Sequence, residues 1–147
     1  MRRDNFTVTV RLPDSDGRPA LDIEYTGPAM TLTNQLTDES DDPYAPEKID
    51  TAFRLQGSLD KEDTTGVFSL THRVTGEYLL EVNAPAETVF DLIHTARDTN
   101  EDTSSYILHI ERGDKKPISH EMDTLFVYDS DGDLLRQHSL IPSGVEL

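Results

Sequence analysis

Apolar and polar residues alternate along most of this chain, in short runs separated by turn-forming residues, and a period of two is the mark of half-buried strands. Phe6 to Leu12 and Leu21-Asp-Ile-Glu-Tyr25 are such runs, and Pro13-Asp-Ser-Asp-Gly17 between them predicts a hairpin. Thr51 to Leu55 reads as a strand ending at Gly57, followed by a polar connection from Leu59 to Thr65. Val67 to Val74 and Glu77 to Val82 alternate on either side of Thr75-Gly76, a second hairpin. Tyr106 to Glu111 is a further strand, and Gly113-Asp-Lys-Lys-Pro117 turns the chain into an edge-type strand around Ile118 to Met122. A last hairpin pairs Leu125 to Tyr128 with Leu134 to Leu140 around Asp129-Ser-Asp-Gly-Asp133.

Two stretches depart from that period. Ala86, Val89, Phe90, Ile93 and Ala96 recur at helical spacing and predict an amphipathic helix over about 85–98, capped by Asn83 with Pro85 in its first turn. Pro28, Met30, Leu32 and Leu36 give a second short helix over about 28–36, against a threonine content that favours extended backbone. The acidic stretch at about 38–48, with two prolines, reads as a mobile loop. The fold class is then α+β, a mostly antiparallel sheet of about 6–8 strands built from hairpins and packed by these helices. A single domain spans 1–147, a length that buries roughly 68–70% of the unfolded surface.

Composition changes this picture in one respect. Asp and Glu number 29 against 13 Lys and Arg, a net charge of -16, and arginine outnumbers lysine while threonine is abundant. That balance suits multimolar salt, where the Debye length shrinks to a few ångströms and self-repulsion is screened. A halophile's cytoplasm is the expected setting. The absence of cysteine excludes disulfides, thiolate zinc sites and a cysteine nucleophile. No run reaches the roughly 18 apolar residues of a membrane span. Arg2-Arg3 precedes an alternating segment broken by Arg11 rather than a continuous apolar one, so a cytoplasmic, membrane-free location is expected. Without a Lys/Arg cluster there is no counterion-release term, and direct nucleic-acid binding is not expected.

Few residues carry chemistry in their spacing. Asp129, Asp131 and Asp133 offer oxygen ligands to a divalent cation. Against this, Gly132 stands fourth rather than sixth, and Leu140 occupies the twelfth position, where an acid is needed. The other reading is a turn with Gly132 at positive φ, as in the matching tetrad Asp14 to Gly17. His72, His94, His109, His120 and His138 form no i, i+4 or His-x-His pair, and each reads as a solvated or hydrogen-bonded side chain. Arg54, Arg73, His72 and His109 on the sheet are the residues from which a small enzyme or ligand-binding site would be assembled. No Gly-x-Ser-x-Gly and no phosphate loop occur, every glycine reading as a turn, and no cofactor is implied.

The C-terminal stretch from Leu134 to Leu147 is nearly free of acid. It reads in two ways. Either the last strand and tail dock into the core, or Arg136, His138, Leu140, Ile141, Val145 and Leu147 form a partner-facing edge. The function expected is a non-enzymatic protein-interaction or adaptor domain, with a protein partner or homo-oligomer through a sheet edge and the tail.

Met1-Arg-Arg-Asp-Asn-Phe6, Ala52-Phe-Arg-Leu-Gln-Gly57, Arg73-Val-Thr-Gly-Glu-Tyr78 and the ending Val127 to Leu147 resemble a family of small acidic haloarchaeal proteins of unknown function, over the whole chain. The resemblance implies a haloarchaeal setting and one domain, and it transfers no activity and no functional residue.

Overall fold

A computed structural model describes residues 6–12, 18–26, 36–37, 44–58, 64–99, 105–112 and 115–141. Among them the chain forms β1 (Phe6–Arg11), β2 (Ala20–Tyr25), β3 (Ile49–Leu55), β4 (Thr65–His72), β5 (Tyr78–Pro85), α1 (Ala86–Thr99), β6 (Tyr106–Arg112), β7 (Lys115–Met122) and β8 (Phe126–Tyr128). Two 3-10 turns, Pro46–Lys48 and Arg136–His138, punctuate them. The fold is α+β, with eight strands in two sheets ordered β1-β2-β6-β7 and β5-β4-β3-β8.

Neighbours in sequence pair antiparallel, as hairpin chemistry dictates: β1 with β2, β3 with β4, β4 with β5, and β6 with β7. The remaining two pairings, β2 with β6 and β3 with β8, are parallel and long-range. Period-two alternation turns one face of each sheet to the core. Leu21, Ile23, Tyr106, Leu108 and Ile110 face inward from the first sheet, and Phe53, Leu55, Phe68, Leu70 and Val82 from the second. Val89, Leu92, Ile93 and Ala96 of α1, all fully buried, pack over β1, β2 and β5, where the two sheets adjoin.

A polar tie joins the sheets inside this core. The Tyr106 hydroxyl donates to the Thr124 carbonyl at 2.8 Å, and the Thr51 hydroxyl donates to the same oxygen at 2.5 Å. The Tyr106 ring is fully buried, so its phenol titrates well above the ordinary range, driven by desolvation.

Three expectations need correction. Gly66 is no turn: it lies inside β4 opposite Leu55 and Ala84, and a Cβ there would sit 2.5 Å from both the Phe53 ring and the Arg54 carbonyl. Close approach of a neighbouring strand, not φ, demands glycine there. Because β4 and β5 therefore pair further toward α1, Asn83 lies within β5 opposite Val67, and α1 starts only at Ala86. Residues 134–140 form no strand; bridges at Tyr128–Leu134 and Leu125–Leu140 flank the 3-10 turn Arg136–His138. The predicted turns at Gly76 (φ 74) and Gly132 (φ 88) do adopt the left-handed backbone. The helix expected at 28–36 and the loop at 38–48 lie outside the described residues, except for buried Leu36 and the segment 44–48.

Candidate functional site

A sheet edge is a row of main-chain donors and acceptors, so where each edge finds its partners is a complete accounting question. In this molecule the edges differ. β1 and β5 run beside each other beneath α1. On β8, Val127 N–H donates to Ser139 Oγ at 2.8 Å and its carbonyl accepts from Leu135 N–H at 2.7 Å. Leu125 and Leu140 exchange two bonds of 2.9 Å. The Arg97 guanidinium holds the strap from α1, donating to the Gln137 carbonyl at 2.8 Å and to the Ser139 carbonyl.

The outer side of β7 pairs with no strand among the described residues. Its polarity follows from β6. Ile107 N–H donates to the Pro19 carbonyl on the β2 side, so Tyr106, Leu108 and Ile110 turn their main-chain groups toward β7. Their register partners Met122, His120 and Ile118 point back at β6, which leaves the N–H and C=O of Ser119 and Glu121 facing away. Pro117, which has no N–H, stands next to a register shift where β7 carries an extra residue. The regular part of this edge is therefore Ile118 to Met122. His120 lies half-buried on the inner side, its pKa lowered by desolvation although the carbonyls of Tyr44 and Ser119 accept hydrogen bonds from the ring.

A cavity of about 370 Å³ opens at the C-terminal end of this edge, lined by Glu47, Glu121, Met122, Asp123, Thr124 and Arg73. Arg73 spends its guanidinium on Asp50 at 2.9 Å, and Glu121 lies 3.4 Å from Arg18 in a half-exposed pair. Exposed pairs of this kind are worth little, so the cavity presents mainly carboxylates.

The solvent face of the first sheet carries a second polar cluster around a cavity of about 430 Å³. Arg11 forms a bidentate pair with Asp22, at 2.6 and 3.0 Å. His109 accepts or donates at both ring nitrogens, Nδ1 to Ser119 Oγ at 2.8 Å and Nε2 to Glu111 Oε1 at 2.9 Å. Hydroxyl, imidazole and carboxylate in a row are the parts of an activated nucleophile. The main-chain N–H groups beneath them lie in the plane of the ladder, however, so none is aimed above the face at a developing oxyanion. The row follows from sheet geometry: Ser119 is directly opposite His109, and Glu111 is two residues along the same strand.

The other candidate residues are dispersed. Arg54 reaches the Ser130 carbonyl at 3.2 Å, while His72 lies at the opposite end of β3 and β4, where its Nδ1 accepts from Val74 and Thr75 N–H at 3.2 and 3.3 Å. Arg73 is beside it, and His109 is on the other sheet, so these four do not converge. Asp129 Oδ1 accepts the N–H groups of Asp131 and Asp133, each at 2.9 Å, which spends it on the turn. Among the described residues no group of three acids or histidines is placed to hold a metal ion. Leu140 is buried at 2% exposure, Ile141 is half-buried and Arg136 is exposed. The His138 ring stacks on Phe90 with centroids 5.0 Å apart. Val145 and Leu147 lie outside the described residues.

Comparison with known proteins adds a family to this geometry. The model of a family of unknown function, DUF5793, matches residues 1–147. The chain belongs to that family. No curated protein and no solved structure matches it. Family membership thus carries no activity to the site, and any functional reading rests on the edge, the cavities and their side chains. Among the described residues, no helix is long and apolar enough to cross a membrane.

Proposed function

We propose that the protein is a binding domain that accepts an extended chain segment along the outer side of β7, working at molar salt in a halophile's cytoplasm. The observation that carries this is the outward N–H of Ser119 and the outward N–H and C=O of Glu121 on a strand whose outer side pairs with no described strand. Strand addition satisfies those groups without any rearrangement of the sheet. Lysines, a proline and a bulge are the usual guards of an edge, and all three stand at the start of β7. They confine an incoming segment to the stretch from Ile118 to Met122. The tail enters this reading differently from the edge, because residues 134–140 already serve to close β8.

The test is an amide NMR titration with a panel of short synthetic peptides of alternating β-branched and polar residues. Ser119 and Glu121 amides are expected to move first, and Ser119→Pro is expected to abolish the response. Perturbations confined to other elements, or none with any peptide, would sink the proposal. The salt setting has its own check. Melting temperature is expected to fall as ionic strength drops from molar to about 0.1 M, because carboxylate repulsion is restored. Equal stability at both would contradict it.

A further inference from the structure

We infer that the turn Arg136–Ser139 is an acid-released latch on the edge of β8: protonation of His138 lifts the turn and uncovers the Val127 N–H. This stands apart from the binding role proposed for β7, and either can fail without the other.

The latch hangs between two fixed points. Bridges at Tyr128–Leu134 and Leu125–Leu140 tie the chain down on either side of it, and Leu140 is buried. Between them the 3-10 turn Arg136–His138 buries no residue of its own. The turn is thus held from outside the core. The His138 ring lies on Phe90 with centroids 5.0 Å apart, and Arg97 donates to the Gln137 and Ser139 carbonyls. The Ser139 hydroxyl accepts from the Val127 N–H and donates to the Leu135 carbonyl. One ring contact and a few hydrogen bonds make a unit that can open by itself.

His138 makes that opening sensitive to acid. Its Nδ1 is buried and has no hydrogen-bond partner among the described residues. In the neutral ring this nitrogen can remain an unprotonated acceptor. Protonation makes both ring nitrogens donors, and a buried charged donor without an acceptor is the costlier fault. The surrounding charges act in the same direction. From α1 the ring is faced by His94 and Arg97, and both disfavour a proton on it, as desolvation does. Arg136 adds a basic group on the turn itself. The α1 carboxylates Glu87 and Asp91 are not among the charges acting on the ring, and β8 offers no carboxylate, with Tyr128 its one titratable side chain. Lifting the turn into water relieves the unmet donor and the cationic surroundings together.

The closed turn therefore binds the proton more weakly than the open one. Falling pH favours opening below 6.5, and the gain ends once pH passes the lowered value of the closed form. A single proton is taken up, so the opening constant rises by no more than about tenfold per pH unit.

Native-state amide exchange at molar salt, corrected for the intrinsic pH dependence of exchange, tests this. Between about pH 6.5 and 5.5 the opening constant at the Val127 and His138 amides is expected to rise about 3- to 10-fold. Leu140, in the flanking bridge, and Phe68, inside β4, are expected to stay unchanged. His138→Phe keeps a ring on Phe90 without a titrating nitrogen and is expected to remove the response. His138→Gln serves as the second variant should the first fold poorly. A rise of the same size at Leu140 or Phe68 means that more than the turn opens, and overturns the latch. So does a flat response at Val127, or one that survives in either variant. An NMR titration of the His138 imidazole with its midpoint at or above 6.5 also overturns it.

Discussion

β7 and β8 are both terminal strands of four-stranded sheets, and they meet solvent in opposite ways. Every outward main-chain group of Val127 on β8 has an internal partner, supplied by a serine hydroxyl, a looped-back amide and an arginine-held strap. On β7 the Ser119 N–H and the Glu121 N–H and C=O face away from the sheet toward no strand among the described residues, guarded at one end by lysines, proline and a bulge. The difference teaches that open and closed edges are built separately. Closure of β8 takes the strap 134–140 that follows it and a clamp from Arg97 of α1, 40 residues upstream of the carbonyl it holds, whereas β7 uses neither.

Opening the closed edge is expected to have the largest effect. Arg97→Met removes the charge-assisted bonds to the Gln137 and Ser139 carbonyls and should destabilise the fold by about 3 kcal/mol in urea unfolding. A loss under about 0.5 kcal/mol would mean that the strap holds without its clamp. Ser139→Ala leaves the Val127 N–H, inside a fully buried residue, without an acceptor, and about 1–3 kcal/mol is expected by the same measurement.

Acid offers a gentler probe of the same edge. Desolvation, then the charges of His94 and Arg97, lower the pKa of His138 from its ordinary 6.5. The folded state therefore holds this group neutral. Its contribution is fully present above pH 6.5 and is lost as pH falls through the lowered value. His138→Gln should flatten the melting temperature against pH below 6.5, and an unchanged slope would clear His138 of the effect. His120, also lowered by burial, sits on the inner side of β7 and keeps its own share of the slope.

The smallest effect is expected where the edge is open. Ser119→Pro, measured against Ser119→Ala so that the lost bond between Ser119 Oγ and His109 cancels, removes an N–H that faces away from β6 and should change stability of the monomer by no more than about 0.5 kcal/mol in urea unfolding. A loss comparable with Ser139→Ala would show that β7 has an internal partner after all and would erase the contrast.

Much of this was readable from the residues, through local rules. Alternation located the strands, Gly76 and Gly132 marked their turns, and Pro117 marked an edge strand before any pairing was known. Helical spacing placed α1 to within a residue or two. What alternation missed was decided by distant partners. Gly66 looks like a turn residue until Phe53 and the Arg54 carbonyl close over it. Leu134 to Leu140 looks like a strand, yet the Ser139 hydroxyl takes the bond a strand would have made. The candidate site divides the same way. Edge character could be read from a proline, but which side of β7 stays open depends on β6 pairing with β2 across more than eighty residues.

Those two parallel pairings also govern time. Hairpins β1–β2, β4–β5 and β6–β7 need only short loops to close, which takes microseconds, whereas β2 must wait for β6 and β3 for β8. Loop-closure entropy places such distant pairings late and slows folding toward the millisecond-to-second range. During that interval β2 and β3 expose edges of their own, more apolar than β7. A nascent chain that stalls before β6 emerges therefore carries its greatest risk of mispairing then, and the guarded outer side of β7 is a milder edge than either of those.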